Sequence, residues 1–240
     1  MQKRKTTFRT FSQAIKNIGR RVSSGFLALV AAVAFTAQTP APIPSLAQIL
    51  KSHIAALAAL HLRDAKTHET SGTLDGLGVH GAFHEWQDGD KQRRDETLGI
   101  RTQRVLRAGG HLWIQNSSGE IRELNGLVAR RQITEDFIDS AAFASHPEHA
   151  AFLDRSKIAD GRTVYHLRIA PPRGEEYIVG LDTTTFLIDE KSYIDGDAPR
   201  TTTYADYHVI DGLLVPYSET DSQGDRRFDL TSHVTKVVVN

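Results

Sequence analysis

The sequence contains no cysteine. A disulfide is therefore excluded, and so is acylation of this chain at a lipobox cysteine. Its apolar run at Gly25–Phe35 falls well short of the ~20 residues that a spanning helix needs. Three catalytic signatures are also missing: the Gly-x-Ser-x-Gly elbow of serine hydrolases, His-Glu-x-x-His, and the Asp-Thr-Gly or Asp-Ser-Gly of pepsin-like proteases. Residues 1–47 hold no acid but seven of the 29 bases. The rest of the chain thus carries 22 bases against 29 acids, a formal charge of −7. Nucleic acids and anionic membrane surfaces reward basic patches, so an acidic body of this kind is a poor partner for either.

What is present begins with a leader. Lys3, Arg4, Lys5, Arg9, Lys16, Arg20 and Arg21 precede the short apolar run. A basic segment before a short apolar one is the pattern of a secretory signal, which points to export into the periplasm or the medium. Small residues place cleavage after Ala47 or close to Ala37. Residues 1–47 are read as signal peptide and leader. Residues 48–240 are read as one domain with a sizeable core and no integral membrane span after signal removal.

The body reads as strands with helical material at its start and middle. Ser45 can cap a helix over Leu46–Leu60, with Leu46, Ile49, Leu50, Ile54 and Leu57 on one apolar face. Three hairpins follow, around Gly76–Gly78, Gly99–Ile100 and Ser117–Gly119. Leu127–Phe143 has helical character, and Pro147 marks a loop or helix start. Strands then resume at 155–159, 162–170, 176–181, 186–194, 201–210, 213–220 and 226–239. This order predicts an α+β fold: a large curved antiparallel sheet covered by an N-terminal helix and a mid-chain helical insert.

Two of the later hairpins carry a family resemblance. One reads Gly180-Leu-Asp-Thr-Thr-Thr-Phe-Leu-Ile188. The other runs from Tyr204-Ala-Asp-Tyr-His-Val-Ile210 through Asp211-Gly212 to Leu213-Leu-Val-Pro-Tyr217. Together they resemble the closing hairpins of the bacterial lipoprotein-carrier-like (LolA/LolB-like) envelope proteins. Such domains also occur in front of some bacterial aspartyl protease-like domains. The resemblance implies a half-open β-barrel that binds a lipid or a lipoprotein acyl chain without catalysis and without a cofactor. Its partners would be a lipid or an acylated protein, and an envelope protein that delivers or accepts it. On that scaffold, Phe83, Trp86, Leu98, Leu106, Trp113, Ile178, Phe186, Tyr204, Val215 and Tyr217 are the candidate lining of an apolar pocket.

Other readings weigh less. Gly76-Leu-Gly-Val-His-Gly81 matches a dinucleotide fingerprint literally, but Ala82–Trp86 continues with strand alternation where that site needs a helix. His80 with His84, and His146 with His149 beside Glu148, invite a metal-assisted enzyme, yet neither set brings a third ligand at a recognisable spacing. Glu135-Asp136 and Glu175-Glu176 fit solvated faces. The rival to a lipid carrier is an accessory or pro-domain of an aspartyl protease-like architecture that acts through protein contacts.

Overall fold

The computed structural model describes residues 42–62, 67–158 and 160–240. The basic leader and its apolar run lie outside the described residues. The first helix, α1 (Leu46–Ala59), starts where Ser45 predicts. Ser45 and Gln48 form a capping box: the Gln48 backbone N–H donates to the Ser45 hydroxyl, and the Ser45 N–H donates to Gln48 Oε1 at 2.8 Å. These bonds satisfy donors that the first helical turn leaves free.

Six strands follow as a meander: β1 (Thr67–Gly76), β2 (Val79–Asp88), β3 (Lys91–Leu98), β4 (Arg101–Ala108), β5 (His111–Gln115) and β6 (Ile121–Glu123). The helical insert divides into α2 (Leu127–Asp139) and α3 (Ala142–Ser145), and Pro147–His149 is a single 3-10 turn. Seven more strands complete the chain: β7 (Ala150–Lys157), β8 (Thr163–Ile169), β9 (Tyr177–Asp182), β10 (Ile188–Asp195), β11 (Ala198–Ile210), β12 (Leu213–Ser222) and β13 (Leu230–Val239). β7 begins five residues before the expected Arg155, and a short 3-10 turn at Arg226–Phe228 occupies the expected start of β13.

The two meanders join where β13 pairs with β1, giving one antiparallel sheet in the order β6-β5-β4-β3-β2-β1-β13-β12-β11-β10-β9-β8-β7. The sheet does not close; β6 and β7 are its edges. The literal dinucleotide fingerprint is a hairpin. Gly76 ends β1, Leu77 and Gly78 turn with φ of 54° and 73°, and Gly81 lies in β2. Asp211-Gly212 turns the same way, at 49° and 88°. Two-residue hairpin turns need positive φ at both positions, which is why glycine recurs there.

The helices pack on one face at the β7–β10 end. Ile49 and Leu50 of α1, Ile138 of α2 and Phe143 of α3 join Tyr165, Leu167 and Ile169 of β8 and Tyr177, Val179 and Leu181 of β9 in the core. Fully burying one such side chain contributes about 1.5–3 kcal/mol. The face of α1 is rotated from the expected one: His53 is 2% exposed, whereas Ile54 is 45% exposed. Residues 46, 49, 50, 53 and 57 form the i, i+3, i+4 stripe that meets the sheet, and Ile54 falls beside it. No described helix is long and apolar enough to cross a membrane.

Candidate functional site

Strand alternation decides which side chains can meet the helices. On β2 and β3, Phe83, Glu85, Gln92, Arg94 and Glu96 share the helix-facing side, because Phe83 lies opposite Glu96 and Glu85 opposite Arg94. Lys191 of β10 is on that side too, opposite Thr202 of β11. Glu219 and Asp221 of β12 follow, opposite Tyr204 and Thr202. β11 is distorted at Asp206, which has a φ of 57° and drops out of the ladder between the Ala205–Ser218 and Tyr207–Pro216 pairs. Tyr204 and Tyr207, three residues apart, consequently line the same space.

That space is a cavity of about 570 Å³ between the sheet and helices α1 and α2. One wall is apolar: Leu57, Ile138, Leu187, Ile188, Leu214 and Pro216. The floor is charged. Arg94 donates to Glu85 at 3.1 Å and to Glu96 at 2.6 Å, and its guanidinium lies 4.5 Å from the centre of the Phe83 ring. Lys191 pairs with Glu135 and, at 3.1 Å, with Asp139, and it sits 5.2 Å from the Tyr204 ring. Burial opposes the Lys191 charge, but Tyr204, Asp139 and Glu135 outweigh it and hold the ammonium well above its usual range. Burial likewise pushes the Tyr204 and Tyr207 phenols up. The Tyr207 hydroxyl donates to the Ile188 carbonyl at 2.7 Å.

Two polar groups on the lining are less well provided. Glu219 is raised to about 7, first by burial and then by Asp221, against the pull of Arg94 and Lys191. His53 donates from Nδ1 to the Phe186 carbonyl at 2.7 Å, and its ring stacks on Phe143. Its Nε2 is buried without a partner. Burial lowers its pKa, so the ring stays neutral, with the proton on Nδ1 and a lone pair on Nε2.

The ten residues expected to line one apolar pocket are dispersed. Tyr204 lines the cavity. Phe83 and Val215 line a recess of about 200 Å³ that shares Glu85, Arg94, Leu214, Pro216 and Glu219 with it. Leu98 is on the same sheet face, opposite Gly81, but outside the lining. Phe186 packs against the core and stacks on Tyr165. Trp86, Leu106 and Trp113 lie on the other face, in a cross-strand row with Arg93, where they line an apolar slot of about 350 Å³. Ile178 shares that outer side with its partner Arg168, and the Tyr217 ring lies tilted against His208 with centres 4.2 Å apart. No sequence signal singles out the charged floor of Glu85, Arg94, Glu96, Lys191 and Glu219, because charged residues on strands ordinarily face solvent. Only the register brings them under the helices.

The histidine pairs have local partners. His84 meets Glu69 at 3.2 Å and stacks on Trp86, while His146 and His149 lie 3.4 and 3.7 Å from Glu148. Among the described residues no group of three His, Asp or Glu side chains is placed to hold a metal ion.

Neither a protein-family model nor a curated protein matches the sequence. Solved structures do match. A DUF1329 family protein from Desulfovibrio piger aligns with a TM-score of 0.51 at 11% identity, over 80% of this chain and 92% of that one. A putative outer membrane lipoprotein-sorting protein domain from Vibrio parahaemolyticus aligns at 0.49 and 12%, over 81% and 92%. A LolA superfamily protein from Nitrosomonas europaea aligns at 0.47 and 13%, over 82% and 94%. At these identities the likeness is one of fold alone.

Proposed function

We propose that this protein is an exported, non-enzymatic carrier-type binding protein that holds a lipid or an acyl chain in the cavity between α1, α2 and the open sheet. The observation that carries the reading is the cavity itself. Its volume of about 570 Å³ lies within the roughly 300–1,000 Å³ of small-molecule sites. Its apolar wall, from Leu57 to Pro216, offers a chain a surface on which each buried methylene contributes ~0.8 kcal/mol before ordering costs. The resemblance of the closing hairpins to lipoprotein carriers supports a carrier, and the leader read over residues 1–47 supports export. The charged floor makes the preferred ligand an amphiphile, with its chain along the wall and its polar group on the floor.

The test is lipid extraction and mass analysis of the protein purified from an envelope fraction without detergent. A stoichiometric lipid is expected, and it should be lost from Leu57→Trp, which fills the cavity from the α1 side. An empty protein that also takes up no fluorescent alkyl probe, whatever the charge of the probe's headgroup, overturns the reading. Function would then rest on protein contacts.

A further inference from the structure

The charges around the cavity do not balance. Its lining holds five carboxylates, on Glu85, Glu96, Asp139, Glu219 and Asp221, against two cations, Arg94 and Lys191. Both cations are already engaged, Arg94 by Glu85 and Glu96 and Lys191 by Glu135 and Asp139. The Glu219 and Asp221 carboxylates remain. Asp221 accepts one hydrogen bond, from the Thr202 hydroxyl at 2.5 Å. Glu219 forms no salt bridge with any described residue, and Arg94 and Lys191 act on it only through their fields. A third, independent deficit is on the α1 side. His53 lines the cavity, is 2% exposed, and keeps an Nε2 lone pair that no donor satisfies. A buried acceptor without a donor carries the cost of its lost hydration.

All three deficits have one sign: each asks for a hydrogen-bond donor, and two ask for positive charge. Resting on the carrier reading above, we infer that the cavity selects amphiphiles whose headgroup is a protonated amine, with the ammonium beside Glu219 and Asp221 and the alkyl chain along the Leu57–Pro216 wall. A primary ammonium has three donors and no acceptor, which suits a lining whose unmet groups are acceptors. A carboxylate or phosphate headgroup would instead meet the surplus acids, with no uncommitted cation among the lining residues to receive it.

The inference also sets a pH dependence. The groups that face Glu219 are Asp221 on its own strand, Glu85 of β2, Arg94 of β3, Lys191 of β10 and Tyr204 of β11, with His68 of β1 in the recess that Glu219 also lines. Glu219 itself is raised to about 7, chiefly by burial. Ammonium affinity should therefore rise as pH increases through about 7, where Glu219 ionises.

Titration calorimetry with dodecylammonium, dodecyl maltoside and laurate, each below its micellar concentration, tests this on the wild-type protein. The three ligands share one chain and differ in headgroup charge. Dodecylammonium should bind about tenfold or more tighter than laurate, the scale of one charge-assisted hydrogen bond. Glu219→Gln, an isosteric change, should erase much of that preference and its rise with pH. Equal binding of all three, or a preference for laurate, overturns the headgroup inference and leaves the carrier reading standing. Binding of none overturns both.

Discussion

At the scale of single residues, Glu219 links the cavity to stability. Its carboxyl is raised from about 4.5 to about 7 in the folded protein, chiefly by burial. A raised folded-state value means that the native protein holds this proton more tightly than the unfolded chain does. The contribution is fully present below about pH 4.5 and is lost as pH rises through about 7. Asp189, raised to about 6 by burial, acts in the same direction, while His53, lowered by burial, acts oppositely as pH falls below 6.5. The wild-type profile therefore mixes several groups, and the difference from Glu219→Gln isolates one. That difference should grow between pH 4.5 and 7 to at most on the order of 3 kcal/mol, read as urea midpoints at a series of pH values. A variant that tracks the wild type across this window would show that folding does not raise the proton affinity of Glu219. A second residue tests the backbone. Gly72 follows a register shift in β1, and a Cβ there would stand 2.0 Å from the His233 carbonyl oxygen and 2.7 Å from the Phe83 ring. The main chain of β13 cannot yield that space without breaking its pairing with β1. Gly72→Ala should cost roughly 2 kcal/mol or more, with an unchanged denaturant slope.

Among the elements, α1 is the one whose start has consequences beyond its own length. It carries Ile49, Leu50 and His53 into the core and Leu57 to the cavity wall, so its N-terminal cap supports both. Ser45→Ala removes the side-chain half of the capping box and should cost about 1 kcal/mol, a fall of roughly 2–4 °C in melting temperature for a domain of this size. Signal cleavage after Ala47 would remove Ser45 altogether and begin the helix without its cap, whereas cleavage close to Ala37 would retain it. This element was legible in the sequence because a cap, a 3.6-residue apolar period and a following turn all agree. The hairpins were legible for the same reason: their turns carry Gly78, Gly99, Gly119 and Gly212, where positive φ is needed. The lining was not. Alternation along His80–Gln87 shows that Phe83 and Glu85 face one way and His84 and Trp86 the other. No local rule says which side a helix will cover. Hydrophobicity favoured Trp86, but the register to Arg94 made Glu85 tolerable inside, and Trp86 stacks with His84 outside.

In the molecule as a whole, one sheet performs two tasks because the helices cover only part of it. Over β7–β10 they exclude water and build the core. Over β2, β3, β11 and β12 they stand off and leave the cavity. Its edges limit pairing with other chains: β6 has only three residues, and β7 carries Asp154, Arg155 and Lys157 along its exposed stretch. The same division separates the two apolar surfaces. The cavity and the Trp86–Trp113 slot lie on opposite faces and share Gln92 in their linings. Substitutions confined to the outer face should leave cavity binding intact. A ligand that binds only the folded state raises its stability by RT ln(1 + [L]/Kd), about 2.7 kcal/mol at a hundredfold excess over Kd. Thermal melts with saturating dodecylammonium should therefore rise by the same increment in the wild type and in the Trp86→Ala, Trp113→Ala double variant, and Leu57→Trp should abolish the increment. The opposite pattern, a double variant blind to ligand beside a responsive Leu57→Trp, would move the binding site to the outer slot. The helix-covered cavity would then be only a gap left where charged strands pass beneath the helices.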